Sequence, residues 1–173
     1  TTLAHSTVKA LRAQGLRKVR LRYDSSLFTG PGLNPKWPGN YFADAVVAPI
    51  TALWVDQGDK ASGWGHEEDP ASVAAATFAE KLQAAGIKVV GKPRPARAAA
   101  DAVQLASVQS AQLSQIVEHV IAVSDNEGAE VLAHHVGLAR GKGGSFTGGA
   151  AGVEEVLVAL GVSTKGMRLH DGS

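Results

Sequence analysis

The sequence predicts an α/β fold for its first half and a helical fold for its second half. Two segments repeat the order helix, glycine, short strand, with the glycine at Gly15 in one and at Gly86 in the other. The Lys-Pro-Arg-Pro segment at 92–95 interrupts regular structure, and beyond it apolar residues recur with a helical period. We therefore predict an α/β (α+β) chain with an α/β domain at residues 1–97 and a helical domain at residues 98–173.

The first α/β unit begins with a helix that ends at Gly15, a residue suited to a left-handed helix cap. Residues 18–23 then alternate between basic and apolar side chains, which predicts a strand with one exposed and one buried face. This is also the densest basic run of the chain, and a solvated strand face explains it better than an RNA-binding ridge does. The predicted helical face consists of Leu3, Thr7, Val8 and Leu11.

The second α/β unit has a clear start, because Asp69 is a good N-cap and Pro70 suits the first helical position. The helix is predicted to run to Gly86 and to be followed by a strand at 87–90. Between the two units, residues 24–39 are rich in Gly, Pro, Ser and Asn but also carry aromatic residues, which predicts a structured loop. The aromatic anchors are Phe28, Trp37 and Tyr41.

Three helices are predicted in the second half. The first carries an apolar stripe, and Ser107 or Ser110 is its candidate N-cap. A second helix begins around Ala129, and a third ends at Gly161. The Ser-Asp-Asn triplet at 124–126 therefore lies at the joint between two helices, where its side chains can face a cleft. The stripe consists of Leu113, Ile116, Val117, Val120 and Ile121.

The composition is ordinary for a globular protein and excludes several classes. Of 173 residues, 45% are hydrophobic and 19% are charged, and the net charge of +1 argues against a dedicated nucleic-acid binder. The absence of cysteine excludes disulfides, thiolate metal sites and a cysteine nucleophile. No apolar run approaches the roughly 18 residues of a membrane span. No signal-peptide pattern follows Thr1, so we expect any export signal to have been removed or to lie upstream.

The Ser-Asp-Asn triplet at 124–126 has two interpretations. All three residue types are good N-caps, so the triplet can simply start the helix near Glu127. Alternatively, it is the Ser-x-Asn motif of penicillin-interacting serine enzymes, in which the hydroxyl relays a proton and the amide holds a peptide carbonyl of the substrate. The triplet alone does not separate the two.

The motifs around the triplet favour catalysis. They are, in order, Asp24-x-Ser26-x-Phe28, Trp37, Ala48-Pro49-Ile50-Thr51-Ala52-Leu53, Ser110-x-x-Leu113, Ser124-Asp125-Asn126 with Ala129-Glu130-x-Leu132, Gly152-Val153-Glu154-Glu155, Leu160-Gly161-Val162 and Leu169-His170-Asp171-Gly172-Ser173. In content and order they resemble the class C (low-molecular-mass) penicillin-binding proteins, which are serine D-alanyl-D-alanine carboxypeptidases and endopeptidases. The chain has no Lys-Thr-Gly and no convincing nucleophile motif, so we expect an internal fragment of such an enzyme.

The resemblance implies a transpeptidase-type domain, an antiparallel sheet with a helical lobe. Residues 98–173 would form the helical lobe and residues 1–97 an inserted α/β domain. Ser124 and Asn126 are the implied catalytic residues. The Ser124 hydroxyl would bond the general-base lysine and pass a proton to the departing D-alanine amine, and the Asn126 amide would bind the acyl side-chain amide of the substrate. Asp125 occupies a variable position and is given no chemistry.

The implied partners are peptidoglycan stem peptides ending in D-Ala-D-Ala, and β-lactams. The resemblance implies no metal, organic cofactor or nucleic acid, at most a peripheral association with the membrane, and a location outside the cytoplasmic membrane of a bacterium. The alternative is a catalytically silent binding or scaffolding module related to these enzymes. This alternative stays open because the fragment alone could not form an acyl-enzyme without an active nucleophile.

The chain contains one match to the spacing of the nucleophile motif. Ser6 and Lys9 satisfy the Ser-x-x-Lys spacing, which places both side chains on one face of a helix. They lie shortly before a strand that the family places well after its nucleophile, and the apolar face of their helix only needs polar residues opposite. We therefore interpret them as surface residues.

Other chemical features favour ordinary explanations. His134 and His135 are adjacent and do not form an i, i+4 metal pair, and residues 66–68 (His-Glu-Glu) lack a partner histidine. Solvated surface is predicted for both groups. The Gly-rich stretch at 141–149 lacks the spacing of a phosphate-binding loop and is predicted to contain a flexible connection between helices.

Overall fold

The computed structural model describes residues 2–173 and is mixed α/β in its first half and helical in its second. The helices are α1 (Thr2–Ala13), α2 (Pro70–Ala84), α3 (Leu113–Val123), α4 (Asn126–Ala139) and α5 (Phe146–Ala159), with a 3₁₀ turn at Asp56–Gly58. The strands are β1 (Lys18–Val19), β2 (Arg22–Tyr23), β3 (Lys88–Val89) and β4 (Arg94–Pro95). This confirms the coarse α/β class. None of the helices within residues 2–173 has the length and apolar character needed to cross a membrane.

The strands form two short parallel pairs, β1 with β3 and β2 with β4. The strand predicted at 18–23 is therefore two strands, because two residues separate β1 from β2 while four separate β3 from β4. That longer connection contains Gly91, with a φ of 73°, and Pro93, which has no N–H to donate to a ladder. The prediction that all of residues 92–95 lack regular structure is wrong for β4.

One core joins α1 and α2 to the strand that follows α2. Leu82 and Ile87 are each only 1% exposed, and the apolar face of α1 packs against them. Local signals define these elements, as predicted. The Asp69 side chain accepts from the N–H of Ser72 at the start of α2, and Gly86 turns the chain with a φ of 82°. The face of α1 that is buried consists of Ala4, Val8 and Leu11.

A second core joins the aromatic loop of the first half to helices of the second. Val47 and Ile50 pack with Phe146, the first residue of α5. The predicted anchors take part, together with further partly buried residues: Phe28, Leu33, Trp37, Tyr41, Trp54 and Val131. The contacts cross the predicted boundary after residue 97, and the division into two domains stays a prediction.

The helices of the second half differ in how well they are covered. Gly137 lets α4 approach α5, because a Cβ there would lie 2.7 Å from the carbonyl carbon of Gly148. The apolar stripe of α3 is largely exposed, with Val120 as its buried residue. The predicted serine cap of α3 is wrong, since the cap is Gln112, whose N–H donates to Gln115 Oε1 at 3.2 Å.

Candidate active site

The turn between α3 and α4 confirms the capping interpretation of the Ser-Asp-Asn triplet. Asp125 is the N-cap of α4, and its Oδ1 accepts from the N–H of Gly128 at 2.8 Å. Ser124 closes α3 in the left-handed region, with φ 56° and ψ 49°. Asn126 is the first residue of α4, and like Ser124 it is exposed. The cap is therefore provided by Asp125, the middle residue. Within residues 2–173, neither the hydroxyl of Ser124 nor the side-chain amide of Asn126 makes a hydrogen bond.

Asn126 lies at a cavity of about 320 Å³. Aromatic side chains of the loop from the first half form one side of this cavity, and the end of the chain forms another. Polar and apolar groups both line it. The lining residues are Trp37, Pro38, Tyr41, Val46, Val47, Asn126, Asp171 and Ser173.

Glu130 holds the end of the chain against this site. Its side chain is fully buried, with Oε2 accepting from the N–H of Gly172 at 2.9 Å. Oε1 accepts from the N–H and from the hydroxyl of Ser173, at 2.8 and 2.6 Å. Gly172 lies so close to α4 that a Cβ would be 2.8 Å from the carbonyl oxygen of Ala129. Sequence reasoning noted Glu130 only as part of a motif and missed this role.

The same end segment also bonds to the aromatic loop. The indole Nε1 of Trp37 donates to Asp171 Oδ2 at 2.7 Å. The buried side chain of Asn34 donates from Nδ2 to the carbonyl of His170 at 2.6 Å. Two walls of the cavity beside Asn126 are thereby fixed to each other.

The contacts of Asp125 and Glu127 also escaped the sequence analysis. Asp125 Oδ2 accepts from the side-chain amide of Gln57 at 2.7 Å, and Glu127 Oε1 accepts from the N–H of Ala48 at 3.0 Å. Good capping chemistry at Asp125 was the only local signal, because the other partners are distant in sequence.

The histidines are the clearest error of the sequence analysis. His134 is 2% exposed and packs against the rings of Phe28 and Phe146, and His66 is also buried, so the surface prediction is wrong for both. His134 Nδ1 donates to the carbonyl oxygen of Glu130 at 2.8 Å, since a carbonyl can only accept. Burial lowers the pKa of His134 below its usual range, because the charged imidazolium loses its hydration. His135 is exposed, as predicted.

The remaining candidates from the sequence have ordinary structural positions. Ser6 and Lys9 are exposed on α1, whose opposite face packs in the first core. In the part of the chain that is described, no three His, Asp or Glu side chains are grouped so that they could hold a metal ion. The Gly-rich stretch connects α4 to α5 up to Ser145, whose hydroxyl caps α5 by accepting from the N–H of Gly148 at 3.1 Å.

Residues 60–173 match the D-Ala-D-Ala carboxypeptidase 3 (S13) family, and the chain belongs to this family. The match includes the whole helical half, and therefore the Ser-Asp-Asn triplet and Glu130.

Individual relatives extend the similarity over the first half. The chain is 30% identical to carboxypeptidase DacB of Mycolicibacterium smegmatis over 166 residues, which are 94% of this chain and 35% of that protein. It is also 30% identical, over 171 residues, to a carboxypeptidase of Mycobacterium tuberculosis, covering 96% and 36% of the two chains. A D-alanyl-D-alanine carboxypeptidase of Actinomadura sp. is 36% identical over 138 residues, 78% of this chain and 23% of that protein. The chain thus spans about a third or less of the length of these curated relatives.

Proposed function

We propose that this chain forms part of a serine-type D-Ala-D-Ala carboxypeptidase or endopeptidase that acts on peptidoglycan stem peptides through an acyl-enzyme. Such an enzyme is acylated by penicillin and works outside the cytoplasmic membrane, where its substrate lies. The single observation that carries the proposal is the capping of α4 by Asp125. This cap leaves Ser124 and Asn126 exposed on one turn, and Asn126 beside the cavity, within the segment that matches the family.

In this proposal Ser124 relays a proton from the general-base lysine to the departing D-alanine amine. It has a left-handed backbone between the last residue of α3 and the N-cap of α4, and its hydroxyl makes no hydrogen bond within residues 2–173. Asn126 donates to and accepts from the amide of the acyl group, which would lie in the cavity lined by Trp37 and Tyr41. In the same proposal, residues 98–173 contribute the helical lobe and residues 1–97 the inserted domain.

The experiment that tests the proposal is acylation of the full-length natural protein by a penicillin, followed by denatured intact mass and by the rate of adduct formation. Ser124→Ala is expected to slow acylation about 10²- to 10⁴-fold, the range for a positioned acid–base group. Asn126→Ala is expected to slow it less, by about 5- to 150-fold, the effect of losing hydrogen bonds worth about 1–3 kcal/mol.

The matched control is Ser110→Ala. Ser110 is an exposed serine whose hydroxyl donates only to the carbonyl of the next residue, at 2.9 Å, and its replacement should leave the rate unchanged. Near-normal acylation of Ser124→Ala would contradict the proton relay. The absence of any penicillin adduct would instead favour a silent binding module.

A further inference from the structure

Glu127, the residue after Asn126, joins α4 to a loop much earlier in the chain, which we call the anchoring loop (residues 48–66). The N–H of Ala48 donates to Glu127 Oε1 at 3.0 Å, and Ala48 is fully buried. A buried N–H that loses its acceptor can no longer bond to water either, so its loss is costly. The Glu127 carboxylate is therefore the acceptor that satisfies the buried N–H of Ala48.

His66 strengthens the same link. Its Nε2 lies 3.9 Å from Glu127 Oε1, and its Nδ1 lies 2.9 Å from Asp59 Oδ1. Both separations are within the range of an ion pair, although neither ring nitrogen has a hydrogen-bond partner within the described residues. The imidazole is buried between a carboxylate of the anchoring loop and one of α4. In its charged form it attracts both, and in its neutral form it still fills the space between them.

A second contact ties the residue before Asn126 to the anchoring loop. Gln57 donates from Nε2 to Asp125 Oδ2 at 2.7 Å. Gln57 has a φ of 51° and the preceding Asp56 a φ of 49°, and Ser124, next to Asp125, has a φ of 56°. Left-handed backbone is strained in residues other than glycine and persists where the surroundings hold it, often at functional sites. The hydrogen bond from Gln57 to Asp125 thus joins two turns that contain left-handed residues.

We propose that Glu127 and Gln57 are positioning residues that hold the first turn of α4 on the anchoring loop and thereby fix the orientation of the Asn126 amide. Neither of them lines the cavity at which Asn126 lies, so they act through Asn126 and not on the substrate. This inference rests on the proposed function, because the orientation of the Asn126 amide matters only if Asn126 binds the substrate. The anchoring itself is measurable without any activity.

The first test reads the side-chain amide resonance of Asn126 by NMR in the full-length natural protein. Glu127→Ala is expected to shift this resonance. Glu127→Gln keeps an oxygen that can accept from Ala48, so it should preserve most of the wild-type resonance. The control Glu118→Ala removes an exposed carboxylate of α3 and should change nothing. An unshifted resonance in Glu127→Ala would overturn the anchoring role, whether or not the protein is an active peptidase.

The second test reads acylation by penicillin. Misplacement of a binding group by about 1 Å can cost about 10²-fold in rate, so Glu127→Ala is expected to lower the acylation rate about 10- to 100-fold. If Glu127 acts through Asn126, the same change should have little further effect in an Asn126→Ala background. Additive losses in this double-mutant cycle would overturn the positioning role. If the wild-type protein is not acylated, the proposed function fails, and the NMR test still decides the anchoring.

Gln57→Ala provides a second test of the anchoring if the Glu127→Ala variant does not fold. The Gln57 side chain is exposed, so its removal should leave the fold intact. We expect it to shift the Asn126 resonance less than Glu127→Ala does, and to slow acylation by less. Gln83→Ala, which removes an exposed glutamine of α2, is the matched control. Identical Asn126 resonances in the Gln57 and Gln83 variants would remove Gln57 from the proposal.

Discussion

Replacing Glu130 with alanine should release residues 170–173 from α4. The buried carboxylate accepts three hydrogen bonds from Gly172 and Ser173. A hydrogen bond to a charged group contributes about 1.5–3 kcal/mol net of the bonds to water that it replaces, so three give at most about 5–9 kcal/mol. Burying the carboxylate without a counterion costs several kcal/mol of this gain. The net stabilisation of the segment is therefore expected at about 1–3 kcal/mol.

The assay is hydrogen exchange at the amide of Ser173, together with the NMR resonance of the Trp37 indole N–H. A loss of about 1–3 kcal/mol corresponds to exchange that is about 5- to 150-fold faster, at about 1.4 kcal/mol per tenfold. The indole resonance reports the same event from the other side of the cavity, because Trp37 donates to Asp171. Both readouts should change together if residues 170–173 detach as a unit.

Two further variants test the reasoning behind that magnitude. Glu130→Gln keeps one oxygen but turns an N–H₂ group toward a backbone N–H, so its exchange rate should also exceed that of the wild type. Glu80→Ala, an exposed glutamate of α2, is the control and should change neither readout. Unchanged exchange at Ser173 in Glu130→Ala would refute the account, because the cost of burial would then cancel all three hydrogen bonds.

Three other predictions concern packing, pH and the nucleophile. Gly137→Ala should lower the free energy of unfolding by about 1–3 kcal/mol in urea titrations, because its Cβ would collide with α5 backbone, whereas Gly39→Ala, with open space around its Cβ, should have little effect. Because the pKa of His134 is lowered in the native state, the unfolded state binds more protons than the native state between that lowered pKa and about 6.5. The free energy of unfolding should therefore fall as the pH drops through this range, by at most about 1.4 kcal/mol per pH unit. The urea midpoint of His134→Phe should lose this part of the pH dependence, and an unchanged dependence would contradict the assignment to His134. Ser6→Ala in the full-length natural protein should leave acylation by penicillin unchanged, and loss of the adduct would make Ser6 the nucleophile.

Elements defined by local chemistry could be predicted from the sequence. Asp69 and Pro70 mark the start of α2, and Gly15 and Gly86 adopt the left-handed conformation that their positions suggested. The division of residues 18–23 into two strands could not be predicted, because it depends on partner strands some 70 residues away in the sequence. Alternation shows which face of a strand is buried but not which segment pairs with it.

The site shows the same limit. The triplet at 124–126 and its position between two helices were predicted, because both depend on residues close in sequence. The surface prediction for His134 failed because the residues that bury it, Phe28 and Phe146, approach from other segments. The role of Glu130 was likewise invisible, since its bonds span 42 and 43 residues.

Three separate segments converge on the first turns of α4. The anchoring loop bonds to Asp125 and Glu127, and the end of the chain bonds to Glu130. The aromatic loop closes the cavity and is itself bonded to the end of the chain. Between the two anchored carboxylates, the Asn126 amide makes no hydrogen bond within residues 2–173 and lines the cavity. In the proposed function, an Asn126 amide held in place in this way needs little reorganisation when it binds the substrate.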